Sequence, residues 1–80
     1  MKPEEFQKLH SRCRAALERY LVEATTTLEL LSHSQPEKLG LDERSRLQQQ
    51  RVRENDAHAR YQDLRAKLLD AAQSGYERLN

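Results

Sequence analysis

The chain has no tryptophan, a single cysteine, only two prolines and two glycines, and few aromatic side chains of any kind, three tyrosines and one phenylalanine in 80 residues. Each scarcity excludes something. With so few aromatics and a hydrophobic fraction of 36%, a chain near the lower size limit for independent folding cannot build a deep core, so stability must come from efficient helices or from association. Cys13 cannot form an internal disulfide, which suits a reducing compartment. Fourteen basic and thirteen acidic residues leave a formal charge of +1, so no global field draws the protein to nucleic acid or to an anionic membrane. No apolar run approaches the roughly 20 residues of a membrane span, and the opening MKPEEFQ is acidic where a signal peptide needs an apolar stretch. A cytoplasmic protein without membrane contact is the expectation. A glycine-rich phosphate loop and a nucleophile elbow are both missing, so the chain is not expected to be an enzyme or to carry a cofactor.

The scarcity of helix breakers is informative in the opposite sense. Pro3 and Gly75 lie near the ends, and Pro36 and Gly40 fall in one central segment, which predicts two long helices joined by a turn. Pro3, Glu4 and Glu5 make a favourable first turn, because proline's missing donor costs nothing there and carboxylates complement the positive end of the helix dipole. From that start Phe6, Leu9, Cys13, Ala16, Leu17, Tyr20, Leu21, Ala24, Leu28 and Leu31 recur at spacings of three and four as one apolar stripe. Ser34 and Glu37 have capping-box spacing, Gly40 reads as a stop and Asp42 as a new N-cap. The second helix then carries Leu47, Ala57, Tyr61, Leu64, Leu68, Ala72 and Tyr76 on its main face. The fold expected is all-α, a single helical-hairpin domain over 1–80, with helices of about 3–33 and 42–78 and a turn at 34–41. A lone hairpin buries only one seam per helix, so dimerisation into an antiparallel four-helix bundle is expected. The interface assigned to it is a second stripe on helix two, Leu41, Val52, Ala59, Ala66 and Leu69, with Ala15 and Val22 on helix one.

The centre of helix two, RLQQQRVRENDAHAR, is too polar for an ordinary core. Gln50, Glu54 and His58 continue the main face, and with Tyr20 opposite they form an expected polar layer in which Glu54 accepts a hydrogen bond from Tyr20 or His58. Such a layer costs stability but fixes register and partner number. His10 with Cys13, and Glu54 with His58, have metal-pair spacing, but the hairpin register does not converge them, and Asn55 stands where helical di-iron sites place the glutamate of their Glu-x-x-His motif. No metal is expected. Basic residues recur at sevens, Arg46, Arg53, Arg60 and Lys67 on one border of the main face and Arg44, Arg51, His58 and Arg65 on the other. They either grip phosphates along a groove or pair across the helices with Glu5, Glu18, Glu23 and Glu29. The interleaved Glu54, Asp56 and Asp63 favour pairing.

These features point to a non-enzymatic protein-interaction or scaffold module that self-associates through its hairpin, as a homodimer or with a helical protein partner. The competing class is a small RNA-binding regulator using Arg46, Arg53 and Arg60. A helical chaperone or adaptor is the third.

Overall fold

A computed structural model of the chain describes residues 2–33 and 40–79, the side chains of 75–79 excepted. Helix α1 spans Pro3–His33 and α2 spans Leu41–Leu79. They pack against each other as an antiparallel hairpin, a rod of 60 × 17 × 16 Å, which is the cross-section of two helices side by side. No helix is long and apolar enough to cross a membrane.

The helix starts follow the chemistry of their first residues. In α1 the Phe6 N–H donates to the Lys2 carbonyl at 3.0 Å, so Lys2 is the N-cap and Glu4 and Glu5 occupy the first turn. In α2 the Arg44 N–H donates to the Gly40 carbonyl at 3.0 Å. Gly40, expected as a stop, therefore caps the second helix, and Asp42 moves from the expected N-cap into the first turn, where its negative charge still complements the helix dipole. The expected capping box at Ser34 and Glu37, and most of the turn at 34–41, lie outside the described residues.

The seam follows a strict alternation of three and four. On α1 it consists of Phe6, Leu9, Cys13, Ala16, Tyr20, Glu23, Thr27 and Leu30, and on α2 of Leu47, Gln50, Glu54, Ala57, Tyr61, Leu64, Leu68 and Ala71, all buried or half-buried. With Phe6 and Leu47 labelled a, both helices keep an a/d heptad throughout, the geometry of a coiled coil. Only five of these residues are truly buried, each 6–8% exposed, and they divide into two small apolar ones, Cys13 and Ala16, and three polar ones, Glu23, Thr27 and Gln50.

That division corrects the expected stripe. Leu21, Leu28 and Leu31 are exposed, and Glu23, Thr27 and Leu30 hold the seam in their place. A straight helix drifts by about 20° per heptad against a 3.5-residue repeat. Over the three to four heptads from Phe6 to Leu31 this comes to about 70°, most of the roughly 100° between adjacent residues. The apolar pattern of α1 runs at the straight-helix period and so slides off a seam that keeps the heptad period, leaving it at Leu17. On α2 the same shift makes Ala71, not Ala72, the seam residue. The side chain of Tyr76 lies outside the described residues.

Gly40 has no positive φ, and a Cβ built there meets nothing within 4 Å. Gly40→Asp adds a capping carboxylate and removes backbone freedom from the unfolded chain, an expected gain of about 1 kcal/mol. A thermal melt followed by circular dichroism should place its midpoint roughly 4–8 °C above that of the parent.

Candidate functional site

The polar centre of α2 meets a polar segment of α1. The Gln50 amide is buried, and its Nε2 donates twice, to the Glu23 carbonyl oxygen at 3.0 Å and to Glu23 Oε2 at 2.8 Å. The other carboxylate oxygen, Oε1, takes an ion pair from the Arg19 guanidinium at 3.1 Å, one turn back on the same helix. Thr27 Oγ1 donates to the same Glu23 carbonyl at 3.1 Å. This i−4 back-bond satisfies a buried hydroxyl without a partner from α2. Among the described residues no buried side-chain nitrogen or oxygen lacks a hydrogen bond, so the layer is satisfied as built.

Both its membership and its wiring differ from expectation: Glu23 and Thr27 join Gln50 in it, and Glu54 and His58 do not. Glu23, expected only as a surface partner for arginine, is the acceptor at its centre. Glu54 is half-buried on the seam but takes no described hydrogen bond from Tyr20 or His58. His58 instead sets its ring against that of Tyr20, with centroids 4.9 Å apart and planes tilted by 58°, and has the Gln62 Nε2 at 3.3 Å. His58 sits on the border of the seam, at position e, beside the Tyr20 ring. Extending the heptad from Phe6 without regard to polarity would have found Glu23 and Thr27.

The arginine rows also sort differently. Among the described residues the expected ion pairs between helices do not form. The three described pairs, Arg14–Glu18, Arg19–Glu23 and Asp63–Lys67, all lie within one helix at a four-residue spacing, because i and i+4 side chains share a face whereas the rows of the two helices are held apart by the seam. Arg46, Arg60 and Lys67 each follow an aspartate, Asp42, Asp56 or Asp63, by four residues, and the last pair closes at 3.0 Å. Arg46 and Arg60 thus have an aspartate one turn before them and Arg53 does not, and none of the three closes an ion pair among the described residues, so the row expected as the phosphate contacts is one interspersed with carboxylates.

The opposite flank is different in kind. Positions e and b of α1 hold His10, Arg14, Leu17, Leu21, Ala24, Leu28 and Leu31, and those of α2 hold Leu41, Arg44, Gln48, Arg51, Asn55, His58, Gln62, Arg65, Leu69 and Ala72. In an antiparallel pair the two e rows border the same side of the seam. Neither helix places a carboxylate at these positions. A groove of about 340 Å³ opens on this flank, lined by His10, Cys13, Arg14, Leu17, Tyr61 and Leu68, and the exposed leucines of α1 extend from it toward the loop end of the rod. The interface expected on α2 is exposed throughout, but it is divided: Val52, Ala59 and Ala66 form the outermost row f, while Leu41 and Leu69 belong to row b of the basic flank.

His10 and Cys13 line the groove, whereas Glu54 lies half-buried on the seam and His58 at its border against Tyr20, and among the described residues no three His, Cys, Asp or Glu side chains converge as metal ligands would. No protein-family model matches the chain, and no curated protein or solved structure matches it either.

The Gln50–Glu23 pair makes a directional prediction. Gln50→Leu leaves a buried carboxylate oxygen without its donor and should cost about 1–3 kcal/mol in urea unfolding. Replacing both residues, Glu23→Leu with Gln50→Leu, should recover most of that loss, since an apolar pair needs no partner. Additivity of the two costs would show that the residues do not act as a pair.

Proposed function

We propose that this protein is a non-enzymatic interaction module that docks an apolar helical face against the leucine stripe of α1. The observation that carries this reading is the stripe itself: Leu21, Leu28 and Leu31 are 53%, 67% and 48% exposed, aligned with the half-buried Leu17 and Ala24. Scattered surface leucines mean little, but a row at helical spacing is a seam without its partner. The energetics agree with a docking role. Covering the exposed half of each leucine gains about 1 kcal/mol or more per side chain, against an association cost of roughly 4–15 kcal/mol. The stripe's own burial falls short of that cost, so the apolar surface that the partner buries against it and polar complementarity around it must supply the rest, which fits weak, reversible binding.

A second copy of the chain is one occupant that fits this reading, giving the homodimeric four-helix bundle. A helical segment of another protein is the other. The RNA-binding alternative finds support only in Arg44, Arg51 and Arg65, since the row with Arg46, Arg53 and Arg60 has aspartates beside it. A leucine stripe running parallel to those three arginines has no use in gripping phosphate.

Tagged protein recovered from its own cells, with and without nuclease, tests the reading. Partners should survive nuclease treatment and be lost from a Leu21→Glu, Leu28→Glu variant that retains its helicity, while sedimentation of the purified chain should report whether a second copy is among them. Partners released by nuclease and indifferent to the leucine substitutions would favour nucleic acid instead.

A further inference from the structure

We infer that the ligand of the e/b flank is an amphipathic helix of a partner protein whose apolar stripe is bordered by glutamate or aspartate. The inference rests on the docking role proposed above and adds the chemistry of the partner. The flank joins two surfaces along one edge: an apolar floor from Leu17 to Leu31 on α1 and a basic wall on α2 formed by Arg44, Arg51 and Arg65. The chain as a whole is almost neutral, so this is a segregation of charge and not a general excess. The aspartates of α2 that follow the heptad, Asp42, Asp56, Asp63 and Asp70, all occupy row c, on the far side of the helix.

Three geometric facts choose the occupant. First, Arg44, Arg51 and Arg65 take no ion pair from another described residue, so their guanidinium groups are available to a ligand. Second, the wall rises on one side of the leucine floor only, which matches a helix with apolar residues on one face and carboxylates along one border. Third, a second copy docked through this flank offers the arginines no carboxylate, since neither helix carries one at positions e or b, and with the two-fold axis running across the helices it would set one basic wall against the other. At the end of the floor the groove between Leu17, Tyr61 and Leu68 gives a single large apolar side chain of the incoming helix a place to anchor, in the manner of helix-in-groove recognition.

The test uses the full chain and two synthetic helices that share one leucine face, bordered by glutamates in one and by lysines in the other, with binding read by fluorescence anisotropy at low and moderate salt. The glutamate helix should bind at least roughly tenfold more tightly than the lysine helix, with most of the preference lost at high salt. Arg44→Glu, Arg51→Glu and Arg65→Glu together should reverse the preference, and Leu21→Ala with Leu28→Ala should weaken both helices. Circular dichroism of each variant establishes that the hairpin remains folded, and variants with single arginine changes serve if the triple change unfolds it. Equal affinity for the two helices overturns the acidic partner and leaves leucine docking standing. Binding of neither overturns both. Anionic vesicles or duplex RNA that bind through the same arginines, while the glutamate helix does not compete, would likewise overturn the inference in favour of a lipid or a nucleic acid.

Discussion

The buried amide of Gln50 holds the two helices in register by bonds that have direction. Apart from Thr27, whose hydroxyl is satisfied within α1, and Glu54, the rest of the described seam is apolar or aromatic and tolerates sliding by a heptad at modest cost, whereas Gln50 Nε2 must find both the Glu23 carbonyl and the Glu23 carboxylate. A slip of one heptad would bring Gln50 opposite residues that offer no buried acceptor and leave a carboxylate stranded. The position of every other feature along the rod follows from that one match. It sets Tyr20 against the His58 ring, and it brings Leu17 to the level of Tyr61 to form the groove.

The same match explains why the molecule has a sticky side. Holding Glu23 and Thr27 in the seam requires α1 to keep a heptad period, so its apolar residues, which follow the straight-helix period, emerge on the neighbouring face. The polar layer and the exposed leucine stripe are two results of one conflict of periods. A sequence with leucine at 23 and 27 would bury a larger seam and would have less apolar surface free for a partner.

The helices and their breakpoints were legible in the sequence because proline and glycine are so few: Pro3 and Gly40 lie within a residue of the two helix starts. The first half of the α1 seam was legible too, since Phe6, Leu9, Cys13 and Ala16 satisfy both periods at once. Beyond Leu17 the two periods diverge, and apolarity selects Leu28 and Leu31 where the partner helix selects Thr27 and Leu30. No property of α1 alone decides between them; the acceptor for Gln50 is contributed from 27 residues away. The division of the arginines into a row with aspartates beside it and a row on a flank without carboxylates required a common heptad frame for both helices. The spacing of sevens identified the rows and left their surroundings unassigned.

Cys13 is buried near the middle of α1, on the half of the rod away from the loop. A thiol reacts only where a reagent can reach it, so its chemistry keeps time for the hairpin. Each modification event records a moment at which the thiol was reached, through the groove or through a parting of the helices at that level. The molecule therefore carries its own clock for local opening, read without any added label. Because Cys13 also lines the groove beside Leu17, a helix seated there would slow that clock.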